Sequence, residues 1–286
     1  MLRASLRENR IRIGGGAEIA LVRTLRVPED GRAYPLPPSL GELPLRRKRA
    51  GYIVPLYQRE ALWIQFRALL GCWTAIQVGA GGVNVLTGQL FPSPLKADPQ
   101  NYLVCPEQPW LDGILMGTGT VRQFVAAPVD RSIGAQLSGE DKVRDTLQFR
   151  VFPSRRKLPR HQPAMALESM PLGVGAGGII EQKIYPDPFG LKVWDRTEFG
   201  QATLRIVNSL EWRALTGEDA PPSPISARDY SDWGLPWFEL YDGDAAALAG
   251  TGAFQAVKGV TGGDSPVEPR VVKRIIRTGS IRRPAK

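Results

Sequence analysis

Tryptophan beside a carboxylate can hold a sugar or a cation, and this chain sets the two together in three places. The stretch "DYSDWGLPWFELYD" (229–242) carries Asp229, Asp232, Trp233, Trp237 and Tyr241. Asp187 and Asp195 lie near Trp194, and Glu107 and Asp112 bracket Trp110 in "CPEQPWLDG". A glycoside-acting enzyme needs two carboxyl groups, one acid and one base or nucleophile, beside an aromatic platform. The candidate ligand-binding residues are therefore Trp110, Asp112, Trp194, Asp195, Asp229, Asp232, Trp233, Trp237 and Tyr241. The competing reading is that the rings close an apolar core and the carboxylates mark its wet rim. Within 229–242 the aromatic spacing fits a helix face, but Pro236 biases Leu235 away from the α region. The stretch is thus expected to be irregular and to wrap over a sheet.

Other chemistries find less support. Zinc needs about four Cys, His or carboxylate ligands at workable spacing, and the chain holds one His and two Cys. Cys72 and Cys105 are expected as reduced thiols, although an even count leaves a pairing open. His161 sits in "RRKLPRHQP", amid cations and prolines, and reads as a loop residue rather than a general base. The run from Gly173 to Gly178 matches G-x-G-x-x-G, but that motif serves a dinucleotide only between a strand and a helix. Here "IIEQKIYP", a strand pattern, follows it, so a flexible loop is the expectation. No metal and no cofactor is expected, and the chain reads as non-enzymatic.

The net charge of +9 is uneven: residues 1–50 carry +6, residues 259–286 carry +5 and the middle carries −2. Nucleic-acid stacking modules interleave basic and aromatic residues. This chain separates them, so sequence-specific nucleic-acid binding is not expected. An acidic partner reached through the basic ends is the expectation, together with homo-oligomer formation. No apolar run is long enough to span a bilayer, and the start lacks the apolar core of a secretory signal. A cytoplasmic location is expected.

The elements that must position these residues are short. From Gly51 onward, β-branched and aromatic runs alternate with Gly, Pro and Asn punctuation, the pattern of an all-β protein. "TLQFRVF" sets Leu147, Phe149 and Val151 on one face and Gln148 and Arg150 on the other. The expected fold is mainly β, a sandwich or barrel of short strands with one or two short helices and long Gly/Pro-rich loops. "NSLEWRALTGE" (208–218) predicts a helix capped by Asn208 or Ser209 and ended by Gly217. The Ala-rich run after Asp244 predicts a second within 242–260. Three regions follow: a basic N-terminal arm (1–50) with an edge strand in 17–27, a β-rich body (51–258) and a basic C-terminal tail (259–286).

The segments "YQREALWIQF", "GGVNVLTG", "PWLDGI", "VRQFVAAP", "YPDPFGLKVWD" and "DYSDWGLPWFELYD" make the chain similar to a family of hypothetical proteins of bacteria and filamentous fungi, over roughly residues 51 to 250. The resemblance implies no activity and no site residue. On the residues themselves, the expectation is a non-enzymatic binding or self-assembly module with basic terminal arms. The alternative is a carbohydrate-binding or glycoside-acting protein built on the Trp and carboxylate residues above.

Overall fold

Period-two alternation dominates the chain, and strands are what form. The computed structural model describes residues 1–275 except 15, 50, 70–71, 138–145, 157, 159–175, 242–245 and 261–263, with backbone alone for 239–241 and 273–275. The N-terminal strands are β1 (Ala4–Arg7), β2 (Arg10–Ile13), β3 (Ala17–Thr24), β4 (Ala33–Tyr34), β5 (Ser39–Glu42) and β6 (Arg46–Lys48). The body adds β7 (Gly51–Pro55), β8 (Ala61–Ala68), β9 (Thr74–Ala80), β10 (Val83–Asn84), β11 (Leu103–Cys105), β12 (Trp110–Leu111), β13 (Gly113–Gly117) and β14 (Thr120–Val125). Then come helix α1 (Ile133–Leu137), β15 (Thr146–Pro153), β16 (Ala176–Glu181), β17 (Gly200–Val207), α2 (Ser209–Thr216), α3 (Ala227–Asp232), β18 (Pro236–Tyr241) and β19 (Arg270–Ile275).

Two open, mixed sheets carry the fold. One runs β1-β2-β3-β8-β14-β16-β4, with β5, β12 and β13 attached to β3, β8 and β14. The other runs β10-β9-β15-β17-β7-β6, with β11 attached to β9. Ile19, Leu21, Leu62 and Ile64 of the first sheet and Ile76, Val78, Phe149 and Leu204 of the second lie in one buried cluster. The sheets therefore face each other across a shared core, and neither closes into a barrel. A smaller cluster of Trp73, Leu95, Tyr102, Phe152 and Trp194 lies apart from this core. By alternation from Phe149 and Val151, Phe152 belongs to the other face of the second sheet.

The strand expected at an edge in 17–27 is interior. β2 and β8 flank β3, and all eight of its residues are buried. Six of the eleven cations in residues 1–50 are paired with carboxylates within the chain. Arg10, Arg12, Arg23, Arg26, Arg32 and Arg46 pair with Glu42, Glu18, Glu60, Asp264, Asp30 and Glu218.

Helix α2 forms as its caps dictate. Asn208 accepts the Glu211 backbone N–H and Gly217 closes the helix at φ 77°. The 229–242 stretch is not irregular. Ser226 and Asp229 build a reciprocal capping box for α3, Gly234 turns the chain at φ 66°, and β18 follows. The helix expected in 242–260 is absent among the described residues 246–260. Gly250 packs so closely that a Cβ there would meet the Met116 carbonyl oxygen at 2.4 Å, and Gly252 takes φ 78°. The loop expected at 173–178 begins strand β16 by Ala176, and a Cβ on Gly178 would meet the Pro28 carbonyl oxygen at 2.1 Å. That glycine serves close packing of backbone. His161 lies outside the described residues. Among them, no helix is long and apolar enough to cross a membrane. Cys72 and Cys105 form no disulfide, and burial pushes the Cys105 pKa up to about 12.

Leu21 is expected to be worth much more than Leu210, which lies 80% exposed on α2. Leu21→Ala should cost about 2–5 kcal/mol through lost burial and a cavity, and Leu210→Ala at most about 0.5 kcal/mol. Urea denaturation of the two variants checks this, and equal midpoints would contradict the interior placement of β3.

Candidate functional site

The Trp and carboxylate candidates do not gather into one place. Trp110 and Asp112 lie on β12 and at its end, on the face of the first sheet away from the shared core, where Trp110 meets Trp63 edge-on at 6.3 Å. Trp194 is buried in the smaller cluster, and its indole N–H donates to Asp187 at 2.8 Å. Asp187 also accepts the Tyr102 hydroxyl at 2.5 Å and the Phe189 backbone N–H. These bonds fasten the segment around 187–194 over Tyr102, and burial pushes the tyrosine pKa up. Asp195 accepts from the side chain and backbone of Thr197 and from Glu198, which hold its pKa down to about 2.

Asp229 is consumed by the capping box, and Asp232 ends α3. Trp237 is fully buried against Tyr34, with its indole N–H on Ser231. Tyr241 ends β18, opposite Ile275. Of the four Trp candidates only Trp233, 63% exposed, presents its ring to solvent. Among the described side chains of this stretch, Tyr230 and Trp237 close the core and Trp233 stays outside.

Asp112 is the unusual carboxyl of the set. It is 1% exposed and its Oδ2 has no hydrogen-bond partner. Its backbone is satisfied by Gln182 and Phe124. The Trp110 indole favours the ionised form but makes no full hydrogen bond. Desolvation therefore dominates and lifts the pKa to about 8. Glu107, half-buried with a free Oε2, is raised for the same reason. A carboxyl as enclosed as Asp112 is a protonated member of the packing, out of reach of a substrate.

A different residue meets the conditions for a binding site. Arg150 projects from β15 on the side opposite Leu147, Phe149 and Val151. It lines a cleft of about 440 Å³ with Pro92, Ser93, Pro94, Leu95, Phe152 and Arg196. Its guanidinium stacks on Phe199 at 4.2 Å and on Phe152 at 5.1 Å. One nitrogen donates to the Ser93 carbonyl at 2.8 Å and, weakly, to Gln77 directly opposite on β9. Its Nε–H is buried and has no acceptor, and burial lowers its pKa. Among the described residues no carboxylate reaches Arg150 or Arg196.

Two neighbouring polar atoms are orphaned as well, Gln77 Nε2 and Gln148 Oε1. The wall opposite is rigid. Buried Asn101 donates to Pro94 and Ser93, accepts from Lys96, and is itself held through its carbonyl by Asn84. In the sequence Arg150 is one polar residue on the outer face of its strand, and no motif there marks it as a site. Its only local signal is Phe152 two residues on, which alternation puts on the same face. The rest of the cleft comes from segments some fifty residues away in either direction. No family model, characterised protein or solved structure matches this chain. Among the described residues no cluster of His, Cys, Asp and Glu is arranged to hold a metal ion.

Asp112 yields a pH prediction. In the unfolded chain its carboxyl ionises near the ordinary aspartate value of 3.8, and in the folded protein at about 8. Between these values the folded state binds the extra proton, so stability falls as pH rises, by up to about 1.4 kcal/mol per pH unit. Asp112→Asn removes this titration. The variant should gain on the parent steadily from pH 5 to pH 8, measured by denaturation at several pH values. A stability difference that does not change with pH would show that the carboxyl is not held neutral.

Proposed function

We propose that the protein is a non-enzymatic binding module, and that its ligand is a small molecule with an anionic group and an apolar body seated in the Arg150 cleft. The observation that carries this reading is the guanidinium itself. Burying a cation without a counter-charge is costly, and folded proteins seldom leave a buried N–H donor unmade. Arg150 is half-buried, has no carboxylate partner among the described residues, and keeps an enclosed Nε–H unmade at the wall of an open cleft. A carboxylate in the cleft would supply the missing counter-charge, and the planar guanidinium suits a carboxylate better than Lys does. Arg196 adds a second cation, and Pro92, Pro94, Leu95 and Phe152 offer an apolar wall for the remainder of the ligand.

The stacking on Phe152 and Phe199 and the bond to Ser93 hold the guanidinium plane before a ligand arrives. Such pre-organisation lowers the entropy lost on binding. This reading keeps the binding half of the sequence expectation. It draws nothing from the basic ends, where six of the ten N-terminal arginines are paired within the chain.

Benzoate and hexanoate serve as probes, each titrated by calorimetry at constant ionic strength. Binding is expected for both, with a rise in melting temperature that follows ligand concentration. Arg150→Met keeps an apolar stem against Phe152 and removes the charge. It should abolish binding, a fall of at least about tenfold, while the unliganded protein melts no lower than the parent. Equal affinity in the variant, or no binding of either carboxylate to the parent, would overturn the reading.

A further inference from the structure

A second cleft, of about 450 Å³, opens where the ends of β3 and β8 meet the start of α3 and the segment 264–267. Unlike the Arg150 cleft, it is polar and its acids are already neutralised. Glu60 accepts from Arg23 at 3.2 Å and from the Tyr57 backbone N–H at 3.0 Å. Asp264 is held by both terminal nitrogens of Arg26, at 2.6 and 3.1 Å. Two further guanidiniums, Arg59 and Arg228, line the cleft from different walls, and among the described residues neither is in an ion pair. Both side chains are exposed, and Arg228 acts on the neighbouring Asp229 carboxylate, whereas Arg59 has no such neighbour among the described interactions.

Arg59 carries an independent mark. It takes φ 72°, and among the described residues only it and Glu8 are non-glycine residues with positive φ. It sits third in the tight turn Tyr57–Glu60, closed by the Glu60 N–H on the Tyr57 carbonyl. That position with positive φ is one glycine or asparagine fills without strain. Its backbone N–H donates to the Ala126 carbonyl at 2.9 Å, which fixes the turn to the strand behind it. A strained backbone persists where the surrounding structure enforces it, and such residues cluster at binding sites. Here the strain holds a side chain that glycine lacks at the mouth of a cleft.

We propose that this cleft is a second anion site, which takes the phosphate group of a small phosphate or phosphate monoester between Arg59 and Arg228. Two guanidiniums approaching from separate walls suit a tetrahedral oxyanion, which presents oxygens in several directions, better than a planar carboxylate. The hydroxyls of Tyr57, Ser223 and Ser265 line the same cleft and can donate to the remaining oxygens. Pro28, Pro224, Ile225 and Val267 line the rest of the cleft and leave an apolar wall for the body of a small ester.

Inorganic phosphate and glycerol 3-phosphate are the probes, titrated by calorimetry against sodium chloride at matched ionic strength. The parent is expected to bind both; binding of inorganic phosphate alone narrows the class to the free ion. Arg59→Gly relieves the turn and removes the guanidinium. It should melt no lower than the parent and lose at least about tenfold in phosphate affinity, while still binding benzoate. Arg228→Gln should weaken phosphate as well, and Arg150→Met should leave it unchanged. Unchanged phosphate affinity in Arg59→Gly, a lower melting temperature of that variant without ligand, or a parent that binds neither probe would overturn the proposal.

Discussion

The antiparallel register between β3 and β8 runs unbroken from the Ala17–Ala68 pair to the Thr24–Ala61 pair, and the rest of the first sheet is hung on it. Register in a strand is strict because side chains alternate, so a slip of one residue would exchange the two faces. In the register found, Ile19 and Leu21 lie with Phe66 and Ile64 in the shared core. Val22 and Ala20 lie opposite Trp63 and Gln65, which alternation turns to the other face. The same alternation carries Arg23 and Glu60 towards the core face at the end of the ladder, where they form a buried ion pair. A buried pair of this kind is weak evidence for stability. It does fix where the apolar core stops, and the Arg59 cleft begins beside it.

Charge is handled in three ways across the molecule. Where arginines emerge at strand ends and turns in the N-terminal region, carboxylates distant in sequence meet them, as Asp264 meets Arg26 and Glu218 meets Arg46. Where a carboxyl is enclosed with no partner, as at Asp112, it is held neutral instead. Arg150 follows neither course. An arginine stays protonated at any ordinary pH, so it cannot escape its burial by losing a proton, and no carboxylate accompanies it among the described residues. That asymmetry between a carboxyl and a guanidinium is why Asp112 reads as packing and Arg150 as a site.

Much of the fold was legible because its signals are local. The alternation of "TLQFRVF" gave β15 and its buried face, and the caps Asn208 and Gly217 gave both ends of α2. Where local and distant signals compete, the sequence misled. Pro236 suggested an irregular stretch, but the Ser226–Asp229 capping box, which straddles the start of that stretch, begins a helix that ends before the proline acts. The Ala-rich run after residue 244 has helical propensity, yet among its described residues packing against Met116 and the positive φ of Gly252 keep the chain extended or turned. Propensity is a weak prior that tertiary contacts override.

By itself the sequence determined the class of the fold, the position of most strands and the separation of basic ends from a neutral body. These follow from periodicity, turn residues and composition, which act over a few residues at a time. Tertiary structure decided the rest. It placed β3 in the interior, because pairing with both β2 and β8 buries surface that an edge would leave wet. It sorted the tryptophans, sending Trp194 and Trp237 into separate cores and Trp233 to the surface, since burial depends on what packs above a ring and not on its sequence neighbours. It also decided which arginines are matched. Ion pairing depends on distances across the fold, so no reading of charge along the chain could distinguish Arg26, met by Asp264, from Arg150, which is met by no acid among the described residues.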